Sequence, residues 1–396
     1  MAGITIRPAP HTGQAAVLKH PARFKVLDCG RRWGKTRLGV MECLIVAARG
    51  GRAWWVAPSY KMSEVGWRPL RRLAAQIPGA EVRRGDRQII TPTGGEVSVR
   101  SADNPDSLRG EGLSYVVLDE CAFMQEDAWT QALRPALADR KGRALFISTP
   151  NGRNWFWRLW QLGQANDTEW HSWQFSSYDN PHILSSEIDA ARALLPDRVF
   201  RQEFLAEFID DAGGVFRRVT EAATAVEQSG AIAGRDYVIG VDWGKHADFT
   251  ALAVIDLATS ELVHLDRFNQ IDYAVQVGRL KALASRFRPV VVIAESNAMG
   301  EPIIEQLTRD GMPVRPFRTT NASKTALVDA LALAFEQGAI RILPDATLIG
   351  ELQAYEMERL PSGALRYSAP DGMHDDTVMA LALAWSGVSN TPWLLW

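Results

Sequence analysis

Apolar runs of strand length alternate with segments of helical spacing along the first half of this 396-residue chain. Phe24–Asp28, Ala53–Ala57, Tyr115–Asp119 and Arg143–Ser148 are short and rich in β-branched or aromatic residues. Longer segments such as Arg37–Ala48, apolar at helical intervals, lie between them, and the alternation predicts a mostly parallel α/β sheet. Gln88–Arg100 breaks the rhythm: Ile89-Ile90, the turn residues Thr91-Pro92-Thr93-Gly94-Gly95, then alternating Val97 and Val99. That pattern predicts a hairpin inserted into the sheet.

In the second half Tyr237–Val241, Ala251–Ile255 and Leu262–Asp266 predict consecutive strands, with turns at His246–Asp248 and Ala258–Ser260. A helix over Asp272–Arg286, a buried strand over Val290–Ala294 and further helices come next, which describes a second, mixed α/β domain. Asp210-Asp211-Ala212-Gly213-Gly214 and the polar, Ala-rich stretch after it mark the boundary. The expected domains are 1–210 and 234–396, joined by a linker over 211–233.

Composition narrows the class. With 46% hydrophobic and 23% charged residues and no low-complexity tract, the chain is globular. Ala326–Phe335 and Val378–Trp385, the longest apolar runs, are shorter than the roughly 18 residues a membrane span needs, so no membrane partner is expected. Cys29, Cys43 and Cys121 are too few and too irregular for a disulfide framework or zinc cage, and the N-terminus lacks a signal pattern, so a reducing cytosolic setting is expected. The net charge of −2 hides an asymmetry: residues 1–210 carry 28 Lys+Arg and 23 Asp+Glu, residues 211–396 carry 16 and 23. The first half suits phosphate and the second is acidic.

Candidate chemistry sits where predicted strands end. After Phe24–Asp28 comes Cys29-Gly30-Arg31-Arg32-Trp33-Gly34-Lys35-Thr36 and a helix. A Walker A loop uses glycines to turn backbone N–H groups onto phosphates, a lysine for the β/γ oxygens, a hydroxyl for Mg²⁺ and a helix N-terminus behind the anion. About 85 residues on, Val116-Val117-Leu118-Asp119-Glu120 has Walker B form, with Asp119 in the Mg²⁺ shell and Glu120 polarising the attacking water. Ser148-Thr149, ending the strand Leu145–Ile147, are either a γ-phosphate sensor or turn caps. Arg31, Arg32 and Arg109 are either arginine fingers or salt-bridged surface residues. Gln14, ahead of the first strand, occupies the place of an adenine-reading side chain.

In the second half Asp242 ends the strand Val238–Val241, Glu295 ends Val290–Ala294, and His374-Asp375-Asp376 opens the helix Thr377–Trp385. Carboxylates closing apolar strands are expensive unless paired or ligating. Phosphodiester cleavage by two Mg²⁺ or Mn²⁺ ions takes hard oxygen ligands from several such elements. Asp375 also suits a helix N-cap, Asp376 the helix dipole, and Asp248 is either a further ligand or a turn residue.

In this order the motifs, together with Asn104-Pro105-Asp106-Ser107-Leu108-Arg109-Gly110, Ser148-Thr149-Pro150-Asn151-Gly152 and Gly240-Val241-Asp242-Trp243-Gly244, resemble the large subunit of a tailed-bacteriophage DNA-packaging terminase over nearly the whole chain. The resemblance implies an N-terminal P-loop (RecA/ASCE-like) ATPase domain and a C-terminal RNase H-like nuclease domain. It implies ATP-driven translocation of double-stranded viral DNA into a prohead and metal-dependent cutting of concatemeric DNA. Gly30, Arg31, Arg32, Gly34, Lys35, Thr36, Asp119 and Gln14 would hold ATP and Mg²⁺, Glu120 would act in hydrolysis, and Ser148, Thr149 and Arg109 would couple or sense it. Asp242, Glu295 and one of Asp375 and Asp376 would carry cleavage. Implied partners are DNA, a small terminase subunit and the portal protein, with the chain monomeric in dilute solution and a homo-oligomeric ring on the portal. The expected location is the host-cell cytoplasm, transiently docked at the portal and absent from the mature virion. Cys29 stands where P-loops usually have glycine.

Two rivals are a repair-type helicase–nuclease, for which no second RecA-like domain follows residue 211, and an inactive DNA-binding assembly protein, against which Lys35, Glu120 and the acid set argue. The run Trp155-Phe156-Trp157-Arg158-Leu159-Trp160 is expected to pack in the core. Arg68, Arg71, Arg72, Arg83, Arg84 and Arg87 are either DNA contacts or a solvated face.

Overall fold

The computed structural model describes residues 9–165, 167–209, 214–244, 249–269, 271–297, 300–359, 365–370 and 372–388. The chain divides into two compact units, one made of most of the sequence to Asp210, the other of most of the later sequence together with Leu194–Asp197.

The first unit is an eight-stranded sheet in the order β3-β4-β5-β2-β6-β7-β1-β8. Its strands are β1 Phe24–Cys29, β2 Arg52–Ala57, β3 Glu81–Arg83, β4 Gln88–Ile90, β5 Glu96–Ser101, β6 Tyr115–Asp119, β7 Arg143–Ser148 and β8 Trp170–Phe175. From β5 to β8 every pairing is parallel, whereas β3, β4 and β5 pair antiparallel with Ile89 opposite Val97, which is the expected hairpin. Alternate residues feed two cores: Leu27, Val117 and Ile147 face the helices Lys35–Ala48 and Tyr60–Ala74, while Val26, Leu118 and Phe146 face Trp129 and Trp155. Of the run expected in the core, Trp155 and Phe156 are buried while Trp157, Leu159 and Trp160 are half-buried, and the Trp155 indole donates to Met124 O at 2.8 Å. In the basic cluster, Arg68 and Arg87 pair with Glu64 and Arg83 with Glu81.

One buried charge pair fastens this sheet to its helices. Lys25 on β1, 1% exposed, meets Glu42 of the helix Lys35–Ala48 at 3.0 Å and donates to Val17 O at 2.7 Å. Burial pulls the Lys25 pKa down and the Glu42 carboxylate opposes it.

The second unit is a five-stranded sheet in the order β11-β10-β9-β12-β13, with β9 Tyr237–Asp242, β10 Thr250–Asp256, β11 Glu261–Phe268, β12 Val291–Glu295 and β13 Val314–Phe317. β9, β10 and β11 are antiparallel, and β12 runs parallel to β9 and β13. A small ribbon comes after them, β14 Glu356–Arg359 with β15 Leu365–Ser368. The helix Asp376–Val388, buried along most of its length, lies on β9. Their contact is possible because of Gly240: a Cβ there would sit 2.1 Å from Ala380 O and 2.3 Å from Ala384 N.

The described part of the expected linker is packed chain. Val215, Phe216, Val219, Ala222 and Ala225 are buried in the core of the second unit, and Phe216 lies 5.7 Å from the Phe335 ring and 5.6 Å from Tyr355. Polar, Ala-rich composition suggested a tether, but its few apolar side chains find partners more than a hundred residues away. The three cysteines are free and buried, and no helix among the described residues is long and apolar enough to cross a membrane.

Two outcomes are expected from this packing. Glu42→Ala leaves Lys25 buried without its partner and costs about 3 kcal/mol or more, read as an earlier urea transition of the first unit; Glu42→Gln, which keeps an acceptor, costs less. Gly240→Ala forces the final helix away from β9, read as an earlier urea transition of the second unit with that of the first unchanged.

Candidate functional site

The loop between β1 and the helix Lys35–Ala48 is held from outside by its carbonyls. Ser177 Oγ donates to Arg31 O (2.6 Å), Asn180 Nδ2 to Arg32 O (2.7 Å) and Gln14 Nε2 to Gly34 O (3.0 Å), while the His11 ring bonds Trp33 O (3.1 Å). Trp33 is fully buried and stacks on Phe175 at 4.8 Å. With these carbonyls directed outward, and the Gly30 and Arg31 N–H groups bonded to Phe175 O and Glu203 O, what this region offers an anion is the N-terminus of the helix that begins at Lys35, together with the Lys35 ammonium. Two glycines are sterically required. A Cβ on Gly30 would lie 2.3 Å from Phe204 O, and Gly34 has φ +106° and would meet Gln14 Nε2 at 2.6 Å. Position 29 carries no such restriction, since the Cys29 side chain is buried in the core; this accounts for a cysteine there.

Lys35 Nζ donates to Cys29 O at 2.8 Å. Its charge opposes the rise that burial imposes on two carboxyls, Asp28 and Asp119. For Asp119, burial is the larger cause and the adjacent Glu120 adds to it. Glu120 has left-handed backbone, φ 49° and ψ 44°, a conformation costing about 1–2 kcal/mol for an L-residue and common where a side chain must be aimed. Ser148 Oγ holds that aim by donating to Glu120 Oε2 (3.3 Å) and accepting from the Ala122 N–H (3.3 Å). Asn151 and Asn154 also donate to Ala122 O. The tip of β7 is thereby clamped to the carboxylate at the tip of β6. Thr149 is buried beside it.

Other predicted residues have different surroundings. Arg31 pairs with Glu203 (Nε to Oε2, 2.6 Å), and its N–H donates to Glu203 O. The Arg32 side chain is exposed. Arg109 contacts Asp106 (3.2 Å) and Gln131 (3.2 Å), neither of which belongs to the phosphate loop. Both ends of the Gln14 amide are engaged, since Oε1 accepts from the His11 N–H and Nε2 holds Gly34 O. In this conformation Gln14 braces the loop instead of standing free for a base. Two side chains of this region carry no motif in the sequence, Glu203 and Asp28. Asp28 is fully buried, takes one bond from Gln174 (3.3 Å), and leaves Oδ1 without a hydrogen bond.

In the second unit β9 and β12 are parallel neighbours in register through Val241 and Ala294, so the next residues, Asp242 and Glu295, project from adjacent strand ends. The helix Asp376–Val388 and the residue before it contribute Asp376 and Asp375, with Asp375 O taking the Met379 N–H (2.9 Å) as the helix starts. Burial, then the charges of Glu295, Asp376 and Asp375, push Asp242 well above the usual carboxylate range, and Lys324 opposes them. Asp376 is raised to about 6, chiefly by burial and then by Glu351. Asp248 lies outside the described residues.

The side chains around these acids are likewise without a sequence signal. Glu351 Oε2 caps the last helix through the Thr377 N–H (3.0 Å) and hydroxyl. Arg267 lies 3.1 Å from Glu351 and 3.6 Å from Asp376, over the Phe249 ring. Lys324 pairs with Asp375 at 3.0 Å. Among the described residues no three acids or histidines already stand at metal-ligand spacing. The donors are all hard oxygens, and Asp376 Oδ2 is buried without a hydrogen bond; such a set suits a hard divalent cation.

Comparison with known proteins covers both units. Residues 27–222 match the family model described as terminase large subunit, T4likevirus-type, N-terminal, and residues 239–386 match the terminase RNaseH-like domain. The large terminase subunit of Thermus virus P23-45 is 32% identical over 426 residues, covering 95% of this chain and 87% of that one. That of Escherichia phage T5 is 27% identical over 380 residues, covering 89% and 83%. A large terminase from a thermophilic bacteriophage shares the fold, with a TM-score of 0.60 at 16% identity over 95% of this chain and 98% of that one. Strand-end carboxylates, a braced phosphate loop and end-to-end similarity agree, and this chain belongs to the terminase large subunit family.

Proposed function

We propose that the two activities of this enzyme, ATP hydrolysis coupled to DNA translocation and metal-dependent DNA cutting, are carried by separate residues in separate units, 1–210 and 234–396. The observation that carries this reading is that each unit builds its own carboxylate cluster at its own strand ends, with its own lysine: Lys35 beside Asp119, and Lys324 beside Asp375 and near Asp242.

In the first unit the Gly30–Thr36 loop receives the phosphates and Lys35 turns from Cys29 O to the β/γ oxygens. Thr36 and Asp119 would hold Mg²⁺. Glu120 takes the proton from the attacking water while Ser148 holds its other oxygen, which ties the state of the γ-phosphate to the tip of β7 and to Thr149. Arg31 and Arg32 are exposed residues of the loop itself and Arg109 is exposed outside it, positions from which they would meet the nucleotide or a neighbouring subunit. In the second unit Asp242, Glu295, Asp375 and Asp376 would hold Mg²⁺ or Mn²⁺. Two such ions would supply a water nucleophile and neutralise the leaving oxygen. The residues' own task is to keep oxygen donors level with the backbone of duplex DNA.

The partners proposed are double-stranded DNA, a small terminase subunit and the portal protein, with a ring of copies assembled on the portal from chains that are monomeric in dilute solution. The setting is the host-cell cytoplasm, with the chain released before the virion matures.

Glu120→Gln is expected to abolish ATP turnover and leave metal-dependent nicking of plasmid intact, and Asp242→Ala to do the reverse. Loss of both activities from either folded variant would refute the separation. Cleavage should stop in excess chelator and return with Mn²⁺, measured on plasmid; cutting that persists in chelator rejects the metal assignment. Packaging of linear DNA into portal-bearing shells, scored by nuclease protection, distinguishes this enzyme from a helicase, which would instead unwind a forked duplex.

A further inference from the structure

Lys324, like Arg267 and Glu351, is a side chain of the second unit that no sequence motif marks. It lies in the first turn of the helix Asn321–Gln337, where a cation works against the helix dipole, so helix stability does not account for it. It is only partly exposed, at 22% of its side chain. Its Nζ donates to Asp375 Oδ2 at 3.0 Å, and the Tyr355 hydroxyl donates to the same oxygen at 3.3 Å. The ammonium also lies 5.8 Å from the Tyr355 ring. Asp375 is thus gripped by one oxygen, and Oδ1 accepts no hydrogen bond among the described residues.

The surrounding charge is unbalanced. Asp242, Glu295, Glu351, Asp375 and Asp376 stand near one another; the permanent cations among them are Lys324 and Arg267, and the His374 ring lies 3.7 Å from Asp376. Arg267 is spent on Glu351 and Asp376. Lys324 is the positive charge that acts on Asp242 as well as on Asp375.

We propose that Lys324 is a resident cation of the nuclease site, paired with Asp375 through Oδ2, whose charge offsets that of the acids and holds divalent affinity down. The inference rests on the reading of Asp242, Glu295, Asp375 and Asp376 as metal ligands. In the metal-free protein the ammonium offsets the repulsion among the acids, so they can remain together. A divalent ion held by these acids would be repelled by the same ammonium. A lysine that merely decorated the surface would leave metal affinity unchanged.

The test uses the full chain without nucleotide, with free Mn²⁺ followed by electron paramagnetic resonance during titration. Lys324→Met should bind Mn²⁺ about ten-fold more tightly at low salt, the scale expected when a unit charge a few ångströms from a divalent ion is removed. Lys324→Arg, which keeps the charge, should bind as the parent does. In chelator the thermal midpoint of Lys324→Met should fall below that of the parent, and Mn²⁺ should raise it by more than it raises the parent's. Unchanged or weaker Mn²⁺ binding by Lys324→Met with a parent-like circular dichroism spectrum overturns the inference; if that variant is misfolded, Lys324→Gln is judged by the same criterion. Asp242→Asn separates this failure from that of the underlying reading. It should weaken Mn²⁺ binding, and if it does not, these acids are not the ligands and both fall.

Discussion

Both sites depend on carboxylates kept close together in surroundings that disfavour their charge, each group opposed by one lysine. Asp119 and Glu120 end β6, Asp28 lies buried near the end of β1, and the Lys35 charge acts on both Asp28 and Asp119. Asp242 ends β9 close to Glu295, Asp375 and Asp376, and Lys324 acts there. Such groups are costly to assemble from water. They persist because parallel strands deliver their ends to a common edge, where the helix after β1 begins in one unit and the last helix of the chain begins in the other. The stability given up in the empty protein is what makes each site receptive to cationic ligands.

The two units solve a second problem differently, that of keeping flexible ends in place. In the first, four side chains from two separate stretches, His11 and Gln14 before β1 and Ser177 and Asn180 after β8, grip the carbonyls of one loop, and a serine on β7 aims Glu120. In the second, a glycine on β9 lets the last helix come close enough for its first residues to reach the strand ends, and Glu351 fixes the start of that helix. Loop bracing and helix docking both spare the site conformational entropy at the moment of binding.

Much of this is legible in the sequence, for identifiable reasons. Buried strands announce themselves through β-branched runs, and a carboxylate closing such a run is conspicuous, so β1, β6, β7, β9 and β12 and the acids Asp119, Glu120, Asp242 and Glu295 stand out. Glu203, Lys324, Arg267 and Glu351 do not. They are common residue types whose significance comes from partners distant in sequence, 172 residues in the case of Arg31 and Glu203 and 51 for Lys324 and Asp375. Gln14 is legible in position but not in orientation, because only the fold shows its amide turned to Gly34. The packed stretch 214–225 is obscured by its composition, since a few small apolar residues leave a weak pattern until Phe335 and Tyr355 are seen beside Phe216.

The grip on the phosphate loop has a consequence for synthesis of the chain. His11 and Gln14 emerge early from the ribosome, but Ser177, Asn180 and Glu203 come about 150 or more residues after the loop they hold. Until those residues are made, Gly30–Thr36 lacks three of its five holding side chains, so the braced loop conformation belongs to the completed first unit and not to its N-terminal part alone.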